Sequence, residues 1–322
     1  AFQQGGTLSI DLDKQRCLRK EKGMRVVVAV DRSDPTFKLV HAVTRLYTPA
    51  ELTLVHAVDH GLARYLAMGP TGRGMAPEEL RPLLDSGHKL LEQAAKSVPS
   101  ELNLVVKQVC ELGSAARVII NTAQMEAADL IVTGSRELSS EEREFTVGSV
   151  SHRIASHAPC STLVVKHMPE QIRRVLVAIN GIDDAAQIQR WLLANPFHDP
   201  VEMIVLHVVP TLEAYRTDSS LTHHDRFHEN LYEDSVNWGQ KLVDNVAAKL
   251  SDTPAHAPAG GCYKAHGQVS SGDPPEVIVQ ESAQQDLVIV GSHGFQSVAR
   301  FIYGSVTQKV LHRVPIPVLV IG

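Results

Sequence analysis

The chain carries one unit twice. "MRVVVAVDRSD" at Met24 to Asp34 returns as "RRVLVAINGID" at Arg173 to Asp183, each an apolar run closed by a short polar turn. "ELTLVHAVD" (Glu51 to Asp59) returns as "EMIVLHVVP" (Glu202 to Pro210), and "ADLIVTGS" (Ala128 to Ser135) as "QDLVIVGS" (Gln285 to Ser292). "VGSVSHRIASHAPCSTLVV" (Val147 to Val165) and "YGSVTQKVLHRVPIPVLVI" (Tyr303 to Ile321) close the series in the same order. Ordered matches whose spacing drifts only by loop-sized insertions are the mark of an internal duplication. At 322 residues the chain leaves each copy about 150 residues, enough to bury a core of its own.

Within each copy the strand-like runs are continuous in Val, Ile and Leu rather than alternating, which points to parallel sheets covered on both faces. Helix-length periodic segments lie between them, among them Pro77 to Ser97, Ala115 to Ala127 and Leu231 to Leu250. The fold class this predicts is α/β, with two tandem doubly wound parallel-sheet domains. The expected division is a leader over 1–23, a first domain over 24–166 and a second over 172–322. The linker "HMPEQ" (His167 to Gln171) is short and holds a proline, so the halves are expected to pack as a pseudo-dimer. The first 23 residues lack the apolar centre of a secretory signal, and Met24, opening the first strand-like run, is the expected natural start.

Composition narrows the partners. The 31 basic and 36 acidic residues give a formal net charge of -5 and are spread along the chain, which predicts no nucleic-acid partner. No apolar run approaches the roughly 20 residues that cross a bilayer, so no membrane association is expected. The four cysteines, Cys17, Cys110, Cys160 and Cys262, form no CxxC pair, against a disulfide framework or structural zinc and in favour of a reducing cytoplasm.

The chemistry concentrates in "GSHGFQSVARFIYGSVTQKVL", Gly291 to Leu311. A strand ending at Gly291 and a helix starting near Gly304 place this loop at the ligand edge of a doubly wound sheet. Gly291 and Gly294 permit positive φ and close approach of main-chain N–H groups to a ligand. Gly304, Ser305, Val306 and Thr307 form a helix start whose N–H groups and dipole favour an anion. Glycines in such places are also ordinary turn devices, and the residues alone leave the two readings level.

Gly291-x2-Gly294-x9-Gly304-Ser305, between "DLVIVGSHG" and the closing "GSVTQKVLHRVPIPVLVI", resembles the nucleotide loop of the universal stress protein family, and the resemblance runs over both halves. It implies a fold of the adenine-nucleotide alpha-hydrolase type and a cytoplasmic stress-response or regulatory protein that binds ATP or AMP, the phosphates with or without Mg²⁺. The nucleotide site it implies comprises Asn180, Gly181, Val208, Val290, Gly291, Ser292, His293, Gly294, Gly304, Ser305, Val306 and Thr307. Val208 would meet adenine through its backbone. The family's first-strand aspartate falls on Asn180, which accepts and donates hydrogen bonds without a carboxylate's charge, at a cost of about 1 kcal/mol, or roughly fivefold in affinity.

The first half keeps Asp31 and Ser33 and offers a second possible site with Ala57, Gly134, Gly148 and Ser149. Its loop "GSRELSSEEREFTVGSVS" puts Glu137 where the later copy has Gly294 and adds Glu141, Glu142 and Glu144. Each carboxylate near a phosphate charge costs about 1 kcal/mol even in water-like surroundings, so nucleotide is expected mainly in the C-terminal half. Arg300 there is a candidate phosphate partner or a solvated loop residue.

Other constellations are weaker. His223, His224 and His228 cluster with Asp225 and Glu229 but show no HExxH pattern, and no metal site is assigned. His56 and His207, at matching positions, read as hydrogen-bonded strand-end histidines. Gly113 and Gly272, each ahead of a helix, read as turn or capping glycines. With no GxxxxGK[ST] and no nucleophile elbow, neither a P-loop ATPase nor a hydrolase is indicated, and any ATP hydrolysis is expected to be slow. Gly61 to Pro77 reads either as a mobile loop over the ligand edge, usable by an unidentified protein partner, or as disorder. The alternative function is a non-catalytic interaction or scaffold protein with a vestigial pocket. A homodimer of pseudo-dimers and a monomer both remain open.

Overall fold

A computed structural model of the chain describes residues 23–33, 37–58, 77–102, 104–135, 147–217, 225–252, 263–292 and 304–322. In the first half, strands β1 (Arg25–Ala29), β2 (Glu51–Val58), β3 (Val105–Leu112), β4 (Leu130–Gly134) and β5 (Ser161–Val165) alternate with helices α1 (Lys38–Leu46), α2 (Pro77–Lys96), α3 (Ala115–Met125) and α4 (Ser149–His157). The second half repeats the scheme with β6 (Arg174–Ile179), β7 (Val201–Val209), β8 (Tyr263–Ser271), β9 (Leu287–Gly291) and β10 (Val318–Ile321). Its helices are α5 (Ile182–Ala194), the short α6 (Leu212–Thr217), α7 (Asp225–Ser251), α8 (Pro274–Ser282) and α9 (Ser305–Arg313).

The ten strands form one sheet in the order β3-β2-β1-β4-β5-β10-β9-β6-β7-β8. Pairing is parallel within each half and antiparallel at β5·β10 alone. The strands bury both faces, as their unbroken apolar runs require. Val26 and Val28 point into one core and Val27 into the other; Leu287 and Ile289 oppose Val288 and Val290 in the same way. One core lies under α1, α2, α5 and α7 and runs across both halves, while α3 and α4, and α8 and α9, cover the opposite face.

Leu163 and Leu319 occupy the same position in the two copies, and they pair with each other across β5·β10. A pseudo-twofold axis therefore runs through this pair, the arrangement of an isologous dimer interface. On the shared core face, Tyr47 stacks on Phe197 with centroids 5.5 Å apart and meets Trp191 edge-on at 5.8 Å. The His198 N–H donates to Leu46 O at 2.9 Å, tying α1 to the second half.

Duplication extends to small devices. Asp129 accepts the Arg25 N–H at 2.9 Å, and Asp286 accepts the N–H groups of Arg173 and Arg174 at 2.8 Å each. Gly113 and Gly272 adopt φ of +155° and +154° and donate to Val58 O and Val209 O, which makes them turn glycines whose conformation disfavours a side chain. His56 Nδ1 bonds Val30 O at 2.8 Å and His207 Nδ1 bonds Ile179 O at 3.0 Å. Each histidine is overlaid by a helix glycine, Gly87 of α2 and Gly239 of α7, so the helix can sit close to the strand.

That closeness sets a prediction. An Ala for Gly exchange inside a helix ordinarily stabilises by about 1 kcal/mol. At Gly239 the new Cβ would lie 2.7 Å from His207 Cδ2, and such overpacking costs about 1–3 kcal/mol. Gly239→Ala is therefore expected to lower stability in urea denaturation; a variant more stable than the parent chain would show that the helix is not pressed on His207.

Candidate functional site

Ligands of doubly wound sheets bind beyond the carboxyl ends of the strands. In the second half, Asn180 follows β6 and Val208 lies near the end of β7. A cleft of about 410 Å³ opens there, walled by Asn180, His207, Val208, Val209 and Pro210 on the strand side and by Leu231, Asp234, Ser235 and Trp238 of α7 on the other. His207 is held by Ile179 O and meets Trp238 edge-on at 5.5 Å. With Nδ1 donating to that carbonyl, the ring is fixed as part of the wall and its Nε2 keeps the lone pair. Trp238 is 43% exposed, leaving aromatic surface for a flat ring in the cleft.

The glycine loop begins and ends beside this cleft. Val290 is buried in β9 and Gly291 is its last residue. Ser292 donates its N–H to Ile321 O at 2.9 Å. Across the loop, Gly304 caps α9 in an extended conformation and donates to Ser292 O at 3.4 Å. Ser305 is exposed at the first helical position and Val306 is half-buried. Thr307, buried, donates its hydroxyl to Gly291 O at 2.8 Å. The loop's two roots are thus stapled together, and the first N–H groups of α9 carry the helix's positive end. His293, Gly294 and Arg300 lie outside the described residues.

The staple is inherited: in the first copy Ser151 donates to Gly134 O. The Thr307 hydroxyl proton is therefore spent on structure. Gly181, the residue before α5, has φ of 178°, extended backbone that any residue adopts.

Sequence reasoning passed over the residue that most changes this edge. Asp184, in the first turn of α5, accepts the Asn180 N–H on Oδ2 at 2.9 Å. Its Oδ1 lies 1.6 Å from where a Cβ on Gly291 would stand. Gly291 is not in the positive-φ region; it lacks a side chain because a carboxylate occupies the space. Burial pushes the Asp184 carboxyl up to about 6, against the stabilising Asn180 N–H. Two adjacent acids in "GIDDAA" look like ordinary helix-start acids, and only the three-dimensional approach to Gly291 distinguishes the second.

The first half keeps Asp31 at the end of its first strand. The crevice beside Asp31 measures about 10 Å³ and is lined by Ala29, Val30, Asp31, Phe37, Leu39 and Val40. Phe37 enters α1 with φ of 51°, and Leu39 lies 3.7 Å from the Cβ position of Gly134. Asp31 Oδ1 accepts both the N–H and the hydroxyl of Ser33, at 2.8 and 2.5 Å. Ala57 sits in β2, and Gly148 caps α4 ahead of Ser149. Glu137, Glu141, Glu142 and Glu144 lie outside the described residues, as do His223 and His224. His228 is buried on α7. Among the described residues no group of three or more His, Cys, Asp or Glu is arranged to hold a metal ion, and no helix is long and apolar enough to cross a membrane.

Comparison with known proteins agrees with this architecture. The profile of the universal stress protein family matches residues 24–166 and again 171–322. The chain belongs to the universal stress protein family. It is 26% identical over 279 residues to universal stress protein Rv2005c of Mycobacterium tuberculosis, covering 84% of this chain and 86% of that one. It is 31% identical over 149 residues to universal stress protein YxiE of Bacillus subtilis, which covers 44% of this chain and 98% of the relative. Among solved structures, a universal stress protein from Archaeoglobus fulgidus aligns with a TM-score of 0.58 at 17% identity, covering 92% of this chain and 95% of the other.

Asp184 gives the second prediction. A carboxyl raised from 3.8 to about 6 on folding contributes stability that is complete below pH 3.8 and lost as pH rises through about 6. At roughly 1.4 kcal/mol per unit, the ionised form costs on the order of 2–3 kcal/mol at pH 7.5. Asp184→Asn keeps an acceptor for the Asn180 N–H. It is expected to raise stability at pH 7.5 and by roughly a third as much at pH 4.5, read from paired urea melts. An equal effect at both pH values would refute the buried charge.

Proposed function

We propose that the chain is an adenine-nucleotide-binding regulatory protein, of the stress-response kind its family name denotes, acting in the cytoplasm. Its ligand occupies the second half. The base lies between the Val208 backbone and Trp238, and the phosphate end points toward Gly291, Ser292, Gly304 and the first turn of α9, with His293 and Gly294 completing the loop. AMP and ATP, the latter with or without Mg²⁺, are the ligands considered. The observation that carries the reading is the cleft of about 410 Å³ beside Asn180, walled by Val208 and Trp238 and roomy enough for a purine ring.

Occupancy would act by favouring one conformation or partner surface, since a ligand shifts an equilibrium by its differential affinity for two states. The groups at the site suit holding a ligand more than transforming it, because no P-loop lysine exists in the chain. A second reading, a scaffold with a vestigial pocket, draws on the carboxylate resting over Gly291. In that case the pseudo-dimer surface, or a further pairing of two chains, would do the work.

Calorimetric titration of the full chain with AMP and with ATP separates the readings. Binding is expected in the parent chain. Ser235→Phe, which fills the cleft wall, should weaken it by about tenfold or more, as loss of a well-packed contact commonly does. Asp31→Asn in the first half should leave it unchanged. Absence of binding at millimolar ligand supports the scaffold, and a loss caused by Asp31→Asn would move the site to the other copy.

A further inference from the structure

We propose that Asp184 selects the ligand by charge: seated on Gly291 at the root of the glycine loop, its carboxylate opposes a polyphosphate tail and favours an adenine ligand with little or no phosphate charge. This rests on the nucleotide reading above and specifies it. Two observations converge on one carboxylate. The Oδ1 atom fills the space that glycine leaves at the end of β9, 1.6 Å from a Cβ position, at the root of the glycine loop. The Oδ2 atom takes the N–H of Asn180, a residue that also walls the cleft. The carboxylate therefore occupies both the gap and a main-chain donor at the phosphate end.

Among the described residues no Lys, Arg or His forms an ion pair with Asp184. The elements around it do carry titratable groups, among them Asp183 and Arg190 on α5, Arg174 on β6, His207 on β7, Asp234 on α7 and Lys309, His312 and Arg313 on α9. None of them is a source of its shift, which comes from burial opposed by the Asn180 N–H. β9 and β10 bring no titratable side chain to it, and α9 begins with the uncharged Ser305, Val306 and Thr307. An ionised carboxylate within a few ångströms of a phosphate, partly shielded from water, weakens binding by about tenfold. Protonation near pH 6 removes the charge, so the discrimination is expected to fade in mildly acidic solution.

Adenosine, AMP and ATP titrated by calorimetry in Mg²⁺-free buffer, against the parent chain and Asp184→Asn, provide the test. At pH 7.5 the parent chain should bind ATP about tenfold less well relative to adenosine than the variant does, with AMP between. At pH 5.5 this gap between the two proteins should largely close, the ligands' own phosphate titration being common to both. Adenosine binding with the same ATP-to-adenosine ratio in both proteins overturns charge selection and leaves the nucleotide reading standing. A difference that is the same at both pH values also overturns it. Silence from all three ligands with both proteins overturns the nucleotide reading and this inference together.

Discussion

The antiparallel pairing of β5 with β10 is the interaction on which the rest depends. Both strands are wholly buried, β10 entirely apolar and β5 apolar beyond Ser161 and Thr162. In a separated half, either would be an exposed, flat, hydrophobic edge, the kind of surface that recruits other chains. Joined, they lie at the centre of a ten-stranded sheet, and the edges become β3 and β8. Those strands carry Lys107, Gln108 and Glu111, and Lys264, His266 and Gln268, a polar dressing that suits an edge. The exposed ion pairs of Lys107 with Glu51 and Glu126 add little stability but keep the edge solvated.

Because the joint and the cores carry the stability, the ligand edges of the two copies were free to diverge. In the second half, α5 is anchored by Ala185, Ile188 and Leu192, all buried, and its first turn is not needed for packing. There the chain has placed Asp184. In the first half Phe37 and Leu39 pack on the core beside Asp31. The first copy has Pro35 where the second has Asp184, so the repeat offers no matching carboxylate at that position.

Much of this was legible in the sequence because it is periodic or repeated. The unbroken Val/Ile/Leu runs fix parallel strands buried on two faces, and the matched segments fix which strand corresponds to which. What escaped was contact between residues distant in the chain. The helix read from Leu231 begins at Asp225, since "DRFHEN" sets too few apolar residues on one face to show a stripe. That Gly291 leaves room for Asp184 is a contact between distant residues that no spacing announces. The hydroxyl of Thr307 holds Gly291 O as Ser151 holds Gly134 O, a constraint visible only once both copies are folded.

The pseudo-twofold axis explains a further kind of divergence. In a symmetric dimer, residues near the axis meet their own copies, so a charged or titratable side chain there confronts a like one. His152 and Gln308 are equivalent positions, and they face each other at 3.3 Å. Had both remained histidine, protonation of one would oppose protonation of the other; a fused chain escapes this by changing one copy alone. The neighbourhood is already crowded with basic groups, since His312 lies 5.5 Å from His152 and is held below its ordinary value first by burial, then by His152 and Lys166. Lys166 itself, donating to Val314 O, is brought down to about 8 by burial. Fusion thus relieved the joint of its symmetry requirement, and the same freedom let the second ligand edge acquire a carboxylate that the first lacks at the matching position.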